Sequence, residues 1–297
     1  MGKTAKGLVK TDGDLKMPSG LPWCDSGTTG MRFLAMKSYP PQEVFPYINN
    51  QIVDYPAYQD EIWDCEDHAF LAAAQLRCNF PGIPVAIAIG NATHSRHESI
   101  KGFMHAVNYI WFQERAGDNW KPVIFDPAGR EWVDGFDPKV IIPMPISGKK
   151  DHNELSPFEQ FTFQEKAAFQ LDVDVRAYKF DLITDGTVGK TLKDKAYKRC
   201  TGPKLPKYTQ FVNKLTWSPN DTVFFAFAQI RRIFMGAPVG VAFGDLVVKN
   251  KPKESYAALV LWSSADQFTY WDVNMGVDIS SSLQMIGAKF EPRVVIV

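Results

Sequence analysis

Apolar and polar positions divide the chain into a short series of elements. Residues 66–79 are rich in Ala, Leu and Phe, contain no Gly or Pro, and run into the breaker "FPG", which predicts a helix. Its apolar residues are not confined to one stripe, so the helix should be buried nearly all round. "IPVAIAIG" (83–90) then reads as a core strand. The polar stretch "NATHSRHESIKG" (91–102) reads as a loop. "FMHAVNYIWF" (103–112) and "WKPVIFDP" (120–127) are two further strands about the turn "AGDN". "KVIIPMPI" follows as an edge strand, limited by its prolines. Residues 42–53, after Pro40 and Pro41, are expected to form a short helix, and 156–171 another.

The pattern occurs twice. "AAAQLRCNFPGIPVAIAIGN" (72–91) aligns without gaps on "AFAQIRRIFMGAPVGVAFGD" (226–245), pairing Gln75 with Gln229, Arg77 with Arg231, Gly82 with Gly236, Pro84 with Pro238 and Gly90 with Gly244. Trp63 meets Trp217 and Asp67 meets Asp221 upstream; "VNYIW" meets "ALVLW" and "FDPAG" meets "WDVNMG" downstream. Shared Gly and Pro positions favour two copies of one helix–strand–strand–strand unit over chance. The expected organisation is a floppy tail over 1–20, a first lobe over 21–150, a connector over 151–208 and a second lobe over 209–297. Within the connector, 186–207 is basic and punctuated by Gly and Pro, so it reads as solvated. Its "GTVGKT" is not a phosphate loop, because Thr184 stands where the first Gly must be.

Composition narrows the class. Of 297 residues, 45% are hydrophobic and 22% charged, with 33 basic residues against 33 acidic. That balance describes a globular protein and argues against nucleic-acid or anionic-membrane partners. No apolar run reaches the length of a membrane span. The polar N-terminal stretch has no signal core, so a cytoplasmic or virion-associated location is expected. Cys24, Cys65, Cys78 and Cys200 are scattered, form no Cys-x-x-Cys pair, and point to a reducing compartment without a structural zinc.

The stretch "WDCEDHAFLAAAQLR" (63–77) puts a cysteine at the mouth of the buried helix. A thiol attacks as thiolate, which a helix N-terminus and a nearby imidazole both favour. The imidazole needs a third group to fix its tautomer. The first copy supplies all three in order: Cys65 opening the helix, His105 on the second strand, Asp126 ending the third. Antiparallel neighbours bring a strand's start and the next strand's end to one sheet edge. The bland readings are a buried thiol at Cys65, a core histidine at His105 and a turn former at Asp126 before Pro127. Cys78, late on the helix, reads as structural. The acids around Cys65 oppose thiolate formation; Asp67, which recurs as Asp221, reads as complementing the helix dipole.

"DCEDHAFLAAAQLR…GIPVAIAIG…HAVNYIW…WKPVIFDP" resembles the core of the transglutaminase-like, papain-related cysteine enzymes, over residues of about 55–130. "DCED-x-A…HAVN" is also similar to small bacterial and phage cysteine-peptidase domains. The resemblance implies an α+β fold with a helix packed on an antiparallel sheet, internally duplicated. Carried over residue by residue, it makes Cys65 the nucleophile, His105 the general base and acid, Asp126 the orienting carboxylate and Gln59 an oxyanion donor beside the backbone N–H of Cys65. The second copy departs from the pattern: Pro219 replaces Cys65, Tyr256 or Ala257 falls near His105, and only Asp272 survives.

The expected activity is cysteine-dependent acyl transfer on a protein, peptide or amide substrate, hydrolytic in the first instance, with no metal and no cofactor. A transglutaminase-type transferase differs only in what resolves the thioester. A non-catalytic binding or structural protein, of viral kind, would use the duplicated lobes as surfaces. A metal site built from His94, His97 and His68 with Asp64, Glu66 or Asp67 is a weaker rival.

Overall fold

The computed structural model describes residues 14–15, 31–32, 39–51, 56–59, 62–80, 83–94, 104–112, 121–143, 178–196, 219–250, 254–264, 267–273, 276–279 and 288–296. The helix expected over 156–171 and nearly all of the N-terminal tail lie outside the described residues. The fold is α+β, with helices packed on antiparallel sheets. No described helix is long and apolar enough to cross a membrane. The described residues fall into two compact units: those through residue 58 and from 64 to 143 form the first, and 59–63 with those from 178 onward form the second.

The first unit begins with the paired β1 (Asp14–Leu15) and β2 (Met31–Arg32), followed by α1 (Pro41–Gln51) and α2 (Cys65–Asn79). Ala, Leu and Phe hold seven of the fifteen positions of α2 and leave it no exposed polar face: every residue from Asp67 to Cys78 is buried. Asp67 at the third helical position accepts the Asp64 N–H at 3.4 Å, satisfying a donor at the helix entrance. Five strands follow: β3 (Val85–His94), β4 (Met104–Phe112), β5 (Lys121–Asp126), β6 (Glu131–Val133) and β7 (Gly135–Pro143). They form an antiparallel sheet in the order β6-β5-β4-β3-β7. The proline-bearing β7 is an edge strand, as expected, while β3 runs four residues further than its apolar core because β7 pairs with it as far as His94.

Helix and sheet are tied by polar groups as well as by packing. Arg77, wholly buried, donates Nη1 to Ile83 O at 3.3 Å and so fixes the end of α2 to the entry of β3. Asn108, also wholly buried, donates Nδ2 from β4 to Ala69 O on α2 at 3.0 Å. Buried donors of this kind cost stability when their partners are lost, so they hold the helix in one register on the sheet.

The second unit contains α3 (Asp181–Thr184), α4 (Thr187–Lys193), α5 (Pro219–Ile233), β8 (Val239–Val248), β9 (Glu254–Trp262), β10 (Phe268–Asp272), β11 (Val277–Asp278) and β12 (Ala288–Ile296). Its sheet order is β11-β10-β9-β8-β12, again antiparallel. α4 lies where a solvated connector is expected from sequence. Val188 and Leu192, one turn apart, are wholly buried, and Gly189 leaves room for Trp271 at 3.8 Å from its ideal Cβ position.

The two units have the same element order and the same register. α2 and α5 each span 15 residues, and β3 and β8 each span 10. Val85 pairs with Ile110 as Val239 pairs with Leu261, and Gly90 pairs with His105 as Gly244 pairs with Tyr256. Trp111 N–H donates to Pro84 O at 3.1 Å, and Trp262 N–H to Pro238 O at 3.0 Å. Gly236, at the exit of α5, has φ +83°, a value that favours glycine.

Candidate active site

Cys65 is the first residue of α2 and is 8% exposed. Its Sγ lies 3.6 Å from Glu66 Oε2 and accepts a hydrogen bond from the backbone N–H of Ala106 on β4. Burial, and after it the charges of Glu66 and Asp64, push the thiol well above its ordinary range; the Ala106 N–H pulls the other way. The resting group is therefore a neutral thiol, and any attack by sulfur needs a base.

His105, the base expected from sequence, stands one residue before Ala106. His105 Nε2 lies 2.9 Å from Asp126 Oδ2, both side chains buried. The contact is off the line of the ring N–H, so it is a close ionic approach rather than an aligned hydrogen bond. Such contacts often tighten only when substrate is bound. Asp126 is fixed from its other oxygen: Oδ1 accepts the N–H groups of Ala128 at 2.9 Å and Gly129 at 3.0 Å in the turn after β5. With Nε2 turned to the carboxylate, Nδ1 is the ring atom left to serve a thiol.

Strand alternation places Ala106 and Asn108 on the face of β4 that meets α2, and His105 on the other face with Asp126. The start of α2 and the dyad thus reach the same end of β4, linked by the backbone of residues 105 and 106. His105 and Asp126 are thus brought into contact with each other, and Cys65 into contact with the backbone of Ala106 on the other face of the strand.

No pattern in the sequence singles out Gly129, although it ends the "FDPAG" that matches "WDVNMG". A Cβ at this position would stand 3.3 Å from Asp126 Cγ and 2.7 Å from its Oδ2, the latter closer than real Cβ contacts come. Gly129→Ala must turn the carboxylate away from His105. We expect it to lower any His105-dependent rate on the order of 10²-fold while leaving the melting temperature within a few degrees of wild type. Equal rates in the two proteins would show that the carboxylate's position does not matter.

Gln59 sits elsewhere. It belongs to the second unit, is exposed, bridges to Trp63, and places Nε2 at 3.9 Å from the Met235 sulfur. Cys65 itself is the first residue of α2, a position whose N–H has no intrahelical acceptor.

His68 is buried on the first turn of α2, with its ring edge-on to Tyr58 at 6.0 Å between centroids. Burial pushes its pKa down to about 4, against the raising charges of Asp126 and Asp64, with Arg130 and His105 lowering it further. His94 lies on β3, and His97 is outside the described residues. Among the described residues, metal-ligand spacing occurs at Asp64, Cys65 and Glu66, whose ligand atoms lie within 4.8 Å of one another. Glu66 in this cluster is also the carboxylate 3.6 Å from the thiol sulfur.

The matching positions of the second unit hold a different pair. Tyr256 stands where His105 does, paired with Gly244, and its hydroxyl donates to Asp272 Oδ2. Burial and this hydrogen bond push the phenol upward. A phenol held this way is a poor base, and Pro219 at the head of α5 offers no nucleophile.

No known protein family, curated protein or solved structure matches the chain.

Proposed function

We propose that the first unit is a cysteine-dependent acyl-transfer site, acting first as an amide hydrolase or peptidase. The observation that carries this reading is the buried His105–Asp126 pair one residue along β4 from the backbone donor of the Cys65 thiol. His105 takes the thiol proton at Nδ1 as sulfur attacks the carbonyl carbon, and Asp126 stabilises the imidazolium that forms. The Cys65 N–H receives the developing oxyanion. On collapse the carbon–nitrogen bond breaks, and His105 gives its proton to the departing amine. The thioester is then attacked by water, or by an amine in a transglutaminase-type transferase, with His105 as base. The thiol recovers its proton.

The fold proposed with this chemistry is a papain- or transglutaminase-like core, duplicated, whose second copy has lost the site. Shared element order, shared strand register and the replacement of Cys65 and His105 by Pro219 and Tyr256 support it. One observation favours a second reading, a non-catalytic binding or structural protein: burial, Glu66 and Asp64 all oppose the thiolate.

The two readings separate on exposure of the full-length protein to an activated acyl ester, followed by peptide mapping. An acyl-transfer site accumulates the acyl group on Cys65, more slowly in His105→Ala and not at all in Cys65→Ser. Acylation spread evenly over Cys24, Cys65, Cys78 and Cys200, and unchanged in His105→Ala, would favour the binding protein. Transfer from Cys65 to an added amine marks a transferase; release of free acid alone marks a hydrolase.

A further inference from the structure

The hairpin that carries Asp126 recurs in the second unit with one telling difference. Asp126 on β5 pairs with Glu131 on β6, and Asp272 on β10 pairs with Val277 on β11, so a loop of the same length joins the strands in each unit. The last residue of that loop is left-handed in both: Arg130 has φ +57° and Gly276 has φ +74°. Glycine adopts this backbone freely, whereas the Cβ of an arginine crowds the carbonyl oxygen beside it. The unit without the thiol thus has the residue that the loop favours, and the unit with the thiol does not.

The other two described non-glycine residues with positive φ have local reasons for it. Asn250 lies in the turn after β8 and is of a type that tolerates this backbone. Lys195 follows Asp194, the C-cap of α4, where helices commonly end left-handed. Arg130 has neither reason. Its side chain is exposed, and among the described residues it has no hydrogen-bond or ion-pair partner. Its backbone is bracketed by contacts of the buried carboxylate. The N–H of Gly129, just before it, donates to Asp126 Oδ1 at 3.0 Å, and Glu131, just after it, pairs with Asp126. The charge of Arg130 also reaches His68, one turn along α2 from Cys65.

We propose that Arg130 is a specificity-determining residue of the thiol site, binding a carboxylate of an acidic peptide next to the acyl group that Cys65 attacks. This rests on the acyl-transfer reading of Cys65, His105 and Asp126. A guanidinium offers a carboxylate two parallel N–H donors. Asp64 and Glu66, at the head of α2, repel an anion that comes near them, so the carboxylate is held toward the β5–β6 hairpin.

Iodoacetate and iodoacetamide differ in charge and little in size, and the thiol displaces iodide from either. Their rates at Cys65 are followed by peptide mapping near pH 8 in wild type, Arg130→Lys, Arg130→Gln and Arg130→Gly. The Gln and Gly variants should react about tenfold more slowly with iodoacetate and within twofold of wild type with iodoacetamide. Arg130→Lys keeps the charge and should stay within threefold of wild type with both. Arg130→Gly should melt no lower than wild type, because glycine suits the loop. Equal iodoacetate rates in wild type and Arg130→Gln, a parallel loss with both reagents, or a lower melting temperature in Arg130→Gly would overturn the proposal. If iodoacetamide alkylates Cys65 equally fast in wild type and His105→Ala, the acyl-transfer reading fails instead. The iodoacetate rate in Arg130→Gln still reports whether the arginine draws an anion to this sulfur.

Discussion

Asparagine at position 126 is expected to lower acyl transfer on the order of 10³-fold or more while leaving the fold intact. The reason lies in how the carboxylate is shared. Oδ1 accepts the Ala128 and Gly129 N–H groups, and an asparagine carbonyl can do the same, so the turn after β5 survives. The amide nitrogen must then occupy the place of Oδ2, 2.9 Å from His105 Nε2. It is a donor, so Nε2 becomes the acceptor and the ring proton moves to Nδ1. That atom can no longer take a proton from the thiol. The checks are the acylation rate of Cys65, the His105 tautomer and the melting temperature. A full rate in the asparagine variant would mean that the carboxylate does not orient the base.

The second large effect is on stability in acid. His68 is held neutral, its pKa lowered from 6.5 to about 4 chiefly by burial. Between these values the unfolded chain binds a proton that the native protein does not, so stability rises with pH across this window. The full stability is present above pH 6.5 and is lost as the pH falls toward 4, where the loss amounts to about 3 kcal/mol at most. Urea unfolding at pH 7 and at pH 4.5 measures it. His68→Gln has no proton to bind at this site and should flatten that part of the slope, leaving the part due to carboxylates. Equal slopes in the two proteins would contradict a neutral buried His68.

The elements that can be read from sequence are those whose side chains settle their structure. α2 is legible because Ala, Leu and Phe fill all its faces without a breaker, and β3, β4 and β5 because apolar residues run between turn signals. The last four residues of β3 are not legible. "NATH" is held in the strand by backbone pairing with β7, to which side-chain pattern is blind. α4 is hidden because its apolar stripe is only Val188 and Leu192 within a basic, Gly-punctuated stretch.

The candidate site divides the same way. His105 and Asp126 can be paired because element order brings one strand's start to the next strand's end. Gly129 acts through the absence of a Cβ, which shows only once the carboxylate has coordinates. His68 reads from sequence as a ligand of a metal rival, because its burial against Tyr58 shows only in the structure. Gln59 suggests an oxyanion donor by its spacing from Cys65, yet its chain segment belongs to the second unit.

The most direct test compares iodoacetamide alkylation of Cys65 in wild type and in His105→Ala, near pH 8, with Cys78 of the same molecule as a buried reference. A thiol served by an imidazole base should react at least tenfold faster in wild type than in the variant, and faster than Cys78 in both. A thiol merely packed at a helix end would react at one slow rate with or without His105, and that result would remove the chemistry proposed for this chain.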